Sequence, residues 1–358
     1  MTVRRGRRPP RRRGGPFLAL LTAALVSLVG LAGPAAAVTP RPTDYRSSVQ
    51  SIEPSAPITV RVIGGDTLLD LRAEPGHEVV VAGYGGEPYL RVQRDGTTQV
   101  NTRSPAVSLN RTRDANISGS SGDGGSVGDQ PDWQTTGHDG RLVWHDHRIH
   151  TQDGAAFTGE LAWSVPLTVD DVAVTIDGRL VRVDPPSPLP YLAVGAVVAV
   201  LTWLAGRRRT RLVAATALIV ASALATATGA IEWLSLPGSV ARNAGVFLLP
   251  LVAGLVAGLG LVLRRRTPTL VALLASVSLL SGWLAFRWSI LTRSVLISDL
   301  APVIDRVALA AVLGAVVAAA GLTVQWAGTP VDPAAPVTRG RDHPSAPAPP
   351  APSPHATG

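Results

Sequence analysis

Four of the seven histidines in this chain lie between His138 and His150. The segment 142–149 has the composition of a β-strand, in which side chains two residues apart point the same way and stand about 6 to 7 Å apart. His145 and His147 would then direct both imidazoles toward one ion. His150 has the opposite parity and would join only if the strand ends or bulges after His147. The pattern predicts a metal site formed by His145, His147 and His150, with His138 as an additional ligand.

The remaining composition limits which metal such a site would take. The chain has no cysteine and its only methionine is Met1, so imidazole with a carboxylate such as Asp146 favours Cu(II) or Zn(II). Arg148 opposes this interpretation, because a fixed positive charge beside a divalent cation is unfavourable unless a carboxylate neutralises it. The alternative interpretation is that the residues from His145 to Arg148 form a hydrogen-bonded and ion-paired network that holds the strand to neighbouring loops.

A second polar segment, from Tyr84 to Asn110, is rich in turn residues, arginine and asparagine. These residues either serve loop architecture alone, with asparagine and proline setting the turns, or pack beside the histidine strand. The sequence contains no glycine-rich phosphate loop, no nucleophile elbow and no carboxylate pair placed by a recognisable motif. We therefore expect that the protein is not an enzyme.

The elements that must position these residues are typical of an antiparallel β protein. From about residue 58 to 183, short runs rich in Val, Ile, Leu and Thr are each ended by Gly, Pro, Asp or Asn. This spacing predicts a two-sheet β-sandwich over residues 38–184, and the composition of residues 118–128 predicts a mobile loop. The predicted strands are 58–62, 67–72, 78–82, 89–93, 97–101, 142–149, 161–169, 172–176 and 180–183, with hairpin turns at 94–96 and 177–178.

Apolar runs on both sides of this domain indicate a membrane protein. An arginine run, an apolar run over 17–31 and three alanines at 35–37 predict a cleaved secretory signal peptide over residues 1–37. A proline-rich linker, 185–188, precedes about five transmembrane helices, and the Pro- and Ala-rich residues 327–358 predict a disordered tail. The predicted spans are 189–204, 212–231, 244–263, 270–286 and 307–326.

Arginine runs set the expected orientation of the chain in the membrane. They lie at 207–211 and 264–266, in the loops between the first and second and between the third and fourth predicted spans. Loops rich in arginine face the cytoplasm, so the β domain would be extracytoplasmic and the C-terminal tail cytoplasmic, in agreement with the signal peptide. The net charge is +8, but the arginines form short runs rather than a continuous basic stripe, which argues against nucleic-acid binding.

Ionisable residues also occur near the predicted outer ends of the spans, at Glu232, Arg287, Asp305 and Arg306. Intramembrane charges mark transport pathways in many proteins. At the ends of spans, however, mutual pairing or snorkelling of the side chain toward water is the simpler explanation.

Four segments together resemble a family of uncharacterised exported membrane proteins of high-GC Gram-positive bacteria. The segments are Glu87-Pro-Tyr-Leu-Arg-Val92, Asn101-Thr-Arg-Ser-Pro-Ala-Val-Ser-Leu-Asn-Arg111, Pro131-Asp-Trp133 and Trp144-His-Asp-His-Arg-Ile-His150. The resemblance covers roughly residues 84–183, and the helices by layout only. It implies an outer β domain, several C-terminal spans and an association with secreted copper-handling proteins. The chain departs from the family pattern at residues 107–110, where Tyr-Leu-Asn is usual, and at Thr151, where an aromatic residue is usual.

These observations lead to one main functional hypothesis and two alternatives. The main hypothesis is a membrane-anchored extracytoplasmic protein that binds or senses a metal ion through the histidine motif, with copper as Cu(II) the expected ion. The first alternative is a cell-envelope interaction module that binds another protein without metal. The second is a subunit of a membrane transporter.

Overall fold

The computed structural model describes residues 39–111, 113, 130–151 and 159–329, in which a β-rich part precedes a helical part. The predicted signal peptide, the predicted loop 118–128 and nearly all of the predicted tail lie outside these residues. The strands are β1 (Tyr45–Glu53), β2 (Ile58–Ile63), β3 (Leu68–Ala73), β4 (Val79–Ala82), β5 (Pro88–Val92), β6 (Thr98–Asn101), β7 (Trp133–Gly137), β8 (Arg141–His145), β9 (Glu160–Val169) and β10 (Val172–Arg182). The helices are α1 (Ala106–Leu109), α2 (Leu189–Gly206), α3 (Thr210–Ser235), α4 (Gly245–Val262), α5 (Arg266–Arg287), α6 (Ser289–Thr292) and α7 (Pro302–Gly328).

Two antiparallel sheets share one apolar core, as the sequence predicts. The larger sheet has the order β1-β10-β9-β4-β5-β6-β7, and the smaller one has the order β2-β3-β8. Leu71 and Trp144 of the small sheet and Val81, Val165 and Ile176 of the large sheet are buried in the same cluster. Alternate side chains of each strand therefore meet between the sheets, and this burial stabilises the domain.

The two edge strands of the large sheet, β1 and β7, were not predicted from the sequence. Most residues of both strands are polar, and β7 leaves Gln134, Thr135 and Thr136 exposed. Backbone pairing with β10 and with β6 forms these strands. An edge strand with a solvated face does not need the apolar alternation by which strands are recognised in a sequence.

The predicted hairpin at Asp177-Gly178 is wrong, because β10 runs through both residues without turning. Gly178 pairs with Trp163 of β9, and a Cβ atom at Gly178 would lie 2.0 Å from the Trp163 ring. The glycine therefore makes room for an indole across the strand pair. The turn between β9 and β10 is instead made by Asp170 and Asp171, which both have positive φ, as a two-residue hairpin loop requires.

The helical part contains five helices long and apolar enough to cross a membrane, which confirms the predicted number of spans. They are α2, α3, α4, α5 together with α6, and α7. The most buried is α7, which packs against α2 and α3. Small residues at the contacts bring helices close together: a Cβ atom at Gly195 of α2 would lie 2.8 Å from the Ala310 carbonyl oxygen of α7.

The ionisable residues of the spans pair with one another or with backbone carbonyls. Arg287 of α5 lies 2.6 Å from a carboxylate oxygen of Glu232 in α3 and 3.3 Å from one of Asp305 in α7. Arg306 donates to the backbone carbonyls of Ile290 and Arg293, at 3.0 and 2.7 Å. Mutual pairing, the simpler explanation, is therefore confirmed for Glu232, Arg287 and Asp305, which join three spans at one end of the bundle.

The β-rich part contacts the loop between α6 and α7. Thr43 and Val295 exchange two backbone hydrogen bonds of 3.0 and 2.9 Å. Arg293 lies 2.6 Å from an Asp44 carboxylate oxygen, and the Ser294 hydroxyl donates to backbone carbonyls just beyond β10. The start of the β domain is thus attached to the same end of the bundle that carries the paired charges.

Candidate metal centre

Three of the four predicted ligands, His145, His147 and His150, converge in the β domain. One ring nitrogen of each lies within 4.8 Å of the others, and the three ring centroids are 4.8 to 4.9 Å apart. All three side chains are buried, with 1 to 5% of each residue exposed. The protein therefore has a compact cluster of three imidazoles that could hold a metal ion.

The backbone brings these rings together in a different way from that predicted. The strand predicted over 142–149 ends at His145, and a single 3₁₀ turn follows over His147–Ile149. The parity argument for His145 and His147 is therefore wrong. His150 joins the cluster although the strand ends before His147 and not after it, as the prediction required, because the 3₁₀ turn brings His150 Nε2 to 3.1 Å from His145 Nε2.

Each imidazole donates one ring N–H to a backbone carbonyl. His145 Nδ1 lies 2.6 Å from the Thr67 oxygen, His150 Nδ1 lies 2.8 Å from the Thr151 oxygen, and His147 Nε2 lies 3.0 Å from the Leu109 oxygen. A carbonyl oxygen can only accept, so the hydrogen of each neutral ring is on the nitrogen that faces the carbonyl. The second nitrogen of each ring then carries a lone pair.

The three lone-pair nitrogens are His145 Nε2, His150 Nε2 and His147 Nδ1. The two Nε2 atoms lie 3.1 Å apart, so two acceptors face each other, and His147 Nδ1 is buried without a hydrogen-bond partner. A metal ion with M–N bonds near 2.05 Å and tetrahedral angles separates its ligands by roughly 3.3 Å. The His145–His150 pair, at 3.1 Å, is already close to this separation. The three ligand nitrogens of the cluster lie within 4.8 Å of one another, so the third must approach by up to about 1.5 Å.

The two charges inside the histidine motif neutralise each other. Arg148 and Asp146 form a bidentate pair of 2.8 and 2.6 Å, and the Trp144 indole N–H donates to the same carboxylate at 2.9 Å. Burial alone would raise the pKa of Asp146, but the charge and hydrogen bonds of Arg148 and the bond from Trp144 hold it below its ordinary value. The hydrogen-bonded and ion-paired network of the alternative interpretation therefore exists for Asp146 and Arg148. The histidine rings are not part of it and bond to backbone carbonyls instead.

A second ion pair, between the partly exposed Arg113 and the buried Asp66, lies beside the cluster. Arg113 Nη2 lies 2.5 Å from Asp66 Oδ2, and Asp66 directly precedes Thr67, whose carbonyl holds His145. Burial raises the pKa of Asp66, and Arg113 offsets part of that rise. Both arginines near the rings are thus paired with an aspartate, so that neither presents an uncompensated positive charge to a bound cation.

The polar segment from Tyr84 to Asn110 does pack beside the histidines. The Tyr84 hydroxyl accepts a 2.9 Å bond from the His147 backbone N–H and donates to the Asn110 side chain. The Arg148 guanidinium also lies over the Tyr84 ring, 5.1 Å from its centroid. The interpretation that this segment contacts the histidine motif is confirmed, and Leu109 adds a carbonyl partner that no residue pattern identifies.

The fourth predicted ligand, His138, is not part of the cluster. It follows β7 at the edge of the large sheet, where its side chain is exposed and its Nδ1 lies 3.3 Å from the Thr97 hydroxyl. Within the part of the chain that the structure describes, the group of residues able to hold a metal comprises His145, His147 and His150 alone. His138 is therefore a natural control position for experiments on the cluster.

Acid should destabilise the metal-free protein through this cluster. Burial lowers the pKa of His145 to about 4 and that of His150 to about 3, from an ordinary value of 6.5. The two neutral rings contribute fully to the stability of the fold above pH 6.5, and this contribution is lost as the pH falls toward 4 and 3. The reason is that the unfolded chain binds protons at these two histidines that the folded chain excludes. We expect the free energy of unfolding to fall by up to roughly 1.4 kcal/mol per pH unit for each ring.

Urea unfolding of the metal-free protein at pH 7, 6 and 5 measures this slope. Replacing His150 with Gln removes one of the two titrating histidines, so the free energy of unfolding should depend on pH about half as steeply. An unfolding free energy that does not change between pH 7 and 5 would show that the rings are not held neutral.

Comparisons of this chain with models of known protein families, with curated proteins and with solved structures found no match.

Proposed function

We propose that this protein is a multi-pass membrane protein whose extracytoplasmic β domain binds or senses a divalent metal ion through His145, His147 and His150. The observation that carries the proposal is the convergence of the three buried rings, one nitrogen of each lying within 4.8 Å of the others. Each ring also gives one N–H to a backbone carbonyl. Histidines that ligate metals bond their second nitrogen in this way, which sets the tautomer and the orientation of the ring.

Copper as Cu(II) is the metal that this ligand set favours. Three neutral imidazoles without sulfur suit Cu(II) and Zn(II), and for a given site the affinity order places Cu(II) above Zn(II). The lowered pKa values of His145 and His150 also mean that protons do not compete with the metal at neutral pH. The resemblance to exported proteins of high-GC Gram-positive bacteria adds secreted copper-handling proteins as the proposed partners.

The proposed orientation depends on the alternation of the five spans. The loop between α6 and α7, which contacts the β domain, lies at one end of the bundle. The arginine-rich loops lie at the opposite end, at residues 207–209 and 263–265. If the arginine-rich end faces the cytoplasm, the β domain and its histidines lie outside. In this proposal the bundle anchors the domain, and the paired charges of Glu232, Arg287 and Asp305 hold its outer end together.

Titration of the purified full chain with Cu(II) tests the proposal. The metal-free protein in mild detergent should bind one Cu(II) per chain, with a visible absorption band and a spin-resonance spectrum that shows coupling to nitrogen. Zn(II) should displace Cu(II) only in large excess. The His138→Ala variant should give the same stoichiometry and spectra. Absence of a one-to-one complex, or its loss in His138→Ala, would refute a metal centre at this cluster.

A further inference from the structure

The end of the bundle remote from the β domain carries a group of arginines, and within residues 185–329 no acidic residue lies at that end. Arginines occupy positions 207–209, 211 and 264–266, whereas no Asp or Glu occurs in residues 185–231, 233–298 or 306–331. Two of these arginines stack on tryptophans, Arg207 at 4.3 Å from the Trp203 ring centroid and Arg266 at 5.6 Å from that of Trp326. Tryptophan and arginine together are typical of the boundary between membrane and water.

A groove of about 530 Å³ opens at this end between α3, α4 and α7. Its lining includes three arginines, Arg208, Arg209 and Arg211, and three apolar residues, Leu212, Leu261 and Trp326. The groove therefore offers both positive charge and apolar surface.

The arginines of the groove have two different roles. Arg211 bonds the carbonyl oxygens of Gly260, Leu261 and Leu263, at 3.0, 2.9 and 2.5 Å, and so caps the end of α4. The side chains of Arg208 and Arg209 are exposed and form no hydrogen bond or ion pair with any other residue in the described ranges. Their guanidinium groups are therefore available to a ligand, while Arg211 holds the groove in shape.

We propose that this groove binds an anionic phospholipid, with the lipid phosphate at Arg208 and Arg209 and the start of an acyl chain along Leu212, Leu261 and Trp326. A free phosphate ion would use the arginines but would leave the apolar residues of the groove uncovered. A zwitterionic lipid would cover the apolar residues but would bring no net negative charge to the arginines. Only an anionic lipid matches both parts of the lining, and basic pockets between spans are known to select such headgroups.

Native mass spectrometry of the full chain, with lipids added one at a time, tests this proposal. Phosphatidylglycerol should bind as a defined one-to-one adduct at concentrations where phosphatidylcholine does not. Each arginine near a lipid surface contributes about 5-fold in affinity, so Arg208→Gln with Arg209→Gln should weaken phosphatidylglycerol binding by about 30-fold. Arg264→Gln with Arg265→Gln removes the same charge from the same end but outside the groove, and should change binding by less than about 3-fold.

The other outcomes contradict the proposal in recognisable ways. An equal loss in the two double variants would mean a diffuse attraction of the whole end for anionic lipid. Displacement of phosphatidylglycerol by inorganic phosphate at similar concentrations would indicate a free-anion site without a lipid requirement. Equal binding of phosphatidylglycerol and phosphatidylcholine would show that the arginines do not select the ligand. Because none of these results involves the histidines, the test is independent of the proposed metal centre.

Discussion

Replacing His145 and His147 together with alanine is expected to lower the affinity for Cu(II) by at least about 1,000-fold. Loss of a single outer partner of a ligating histidine costs about 10- to 100-fold, and this variant loses two of three ligands themselves. The remaining His150 has no other imidazole or carboxylate of the cluster with which to share an ion. Competition titration against a copper chelator of known affinity gives the dissociation constants of the variant and the wild type.

The alanine variant also leaves two backbone carbonyls, of Thr67 and Leu109, without their ring donors. A second variant therefore replaces both histidines with glutamine, whose side-chain amide supplies an N–H donor but is a poor ligand for Cu(II). It should fold better than the alanine variant and bind copper equally weakly. Copper affinity within about 10-fold of wild type in either variant would place the metal elsewhere.

The largest expected effect on stability follows from replacing Asp146 with alanine. Asp146 is fully buried, bonds Arg148 through both carboxylate oxygens, accepts the Trp144 indole N–H and caps the turn that carries His147. Its loss leaves the largely buried Arg148 guanidinium without a counter-charge. Breaking a buried pair from one side costs about 3 to 5 kcal/mol, so we expect a loss of that size in the free energy of unfolding.

The Glu160–Arg179 pair provides a matched control for this prediction. Its N–O distance is 2.7 Å, close to the 2.6 Å of the Asp146–Arg148 pair, but both of its side chains are more than half exposed. Glu160→Ala should therefore cost less than about 1 kcal/mol, as solvent-exposed pairs do. Urea unfolding of both variants, followed by tryptophan fluorescence, gives the comparison. Equal losses would show that burial does not set the strength of the Asp146 pair.

The five spans could be predicted from the sequence because the signal for a span is local. A run of about 20 apolar residues satisfies its own backbone hydrogen bonds as a helix, whatever its neighbours are. Strands required more information, since each takes its hydrogen bonds from a partner distant in sequence. The polar edge strands β1 and β7 were missed for this reason, and the glycine of β10 was interpreted as a turn although it makes room for Trp163.

The histidine cluster shows the same division between local pattern and distant contacts. Composition alone identified His145, His147 and His150 as an imidazole-rich group on a chain without cysteine. The strand parity that was expected to align the first two rings does not exist, since the strand ends at His145. The His145 and His147 rings are oriented by hydrogen bonds to the backbone carbonyls of Thr67 and Leu109, which are distant in sequence. Neither of these two residues belongs to a recognisable motif.

By itself, then, the sequence determined the residue types available for chemistry, the absence of sulfur ligands and the division into a β domain and a membrane bundle. Composition and apolar run length are properties of contiguous residues, and they decide these features directly. Only the tertiary structure decided that the three imidazoles converge, that His138 stays outside, and that Asp146 neutralises Arg148. These features depend on which backbone groups of distant segments become neighbours, and the spacing of residues along the chain does not fix those contacts.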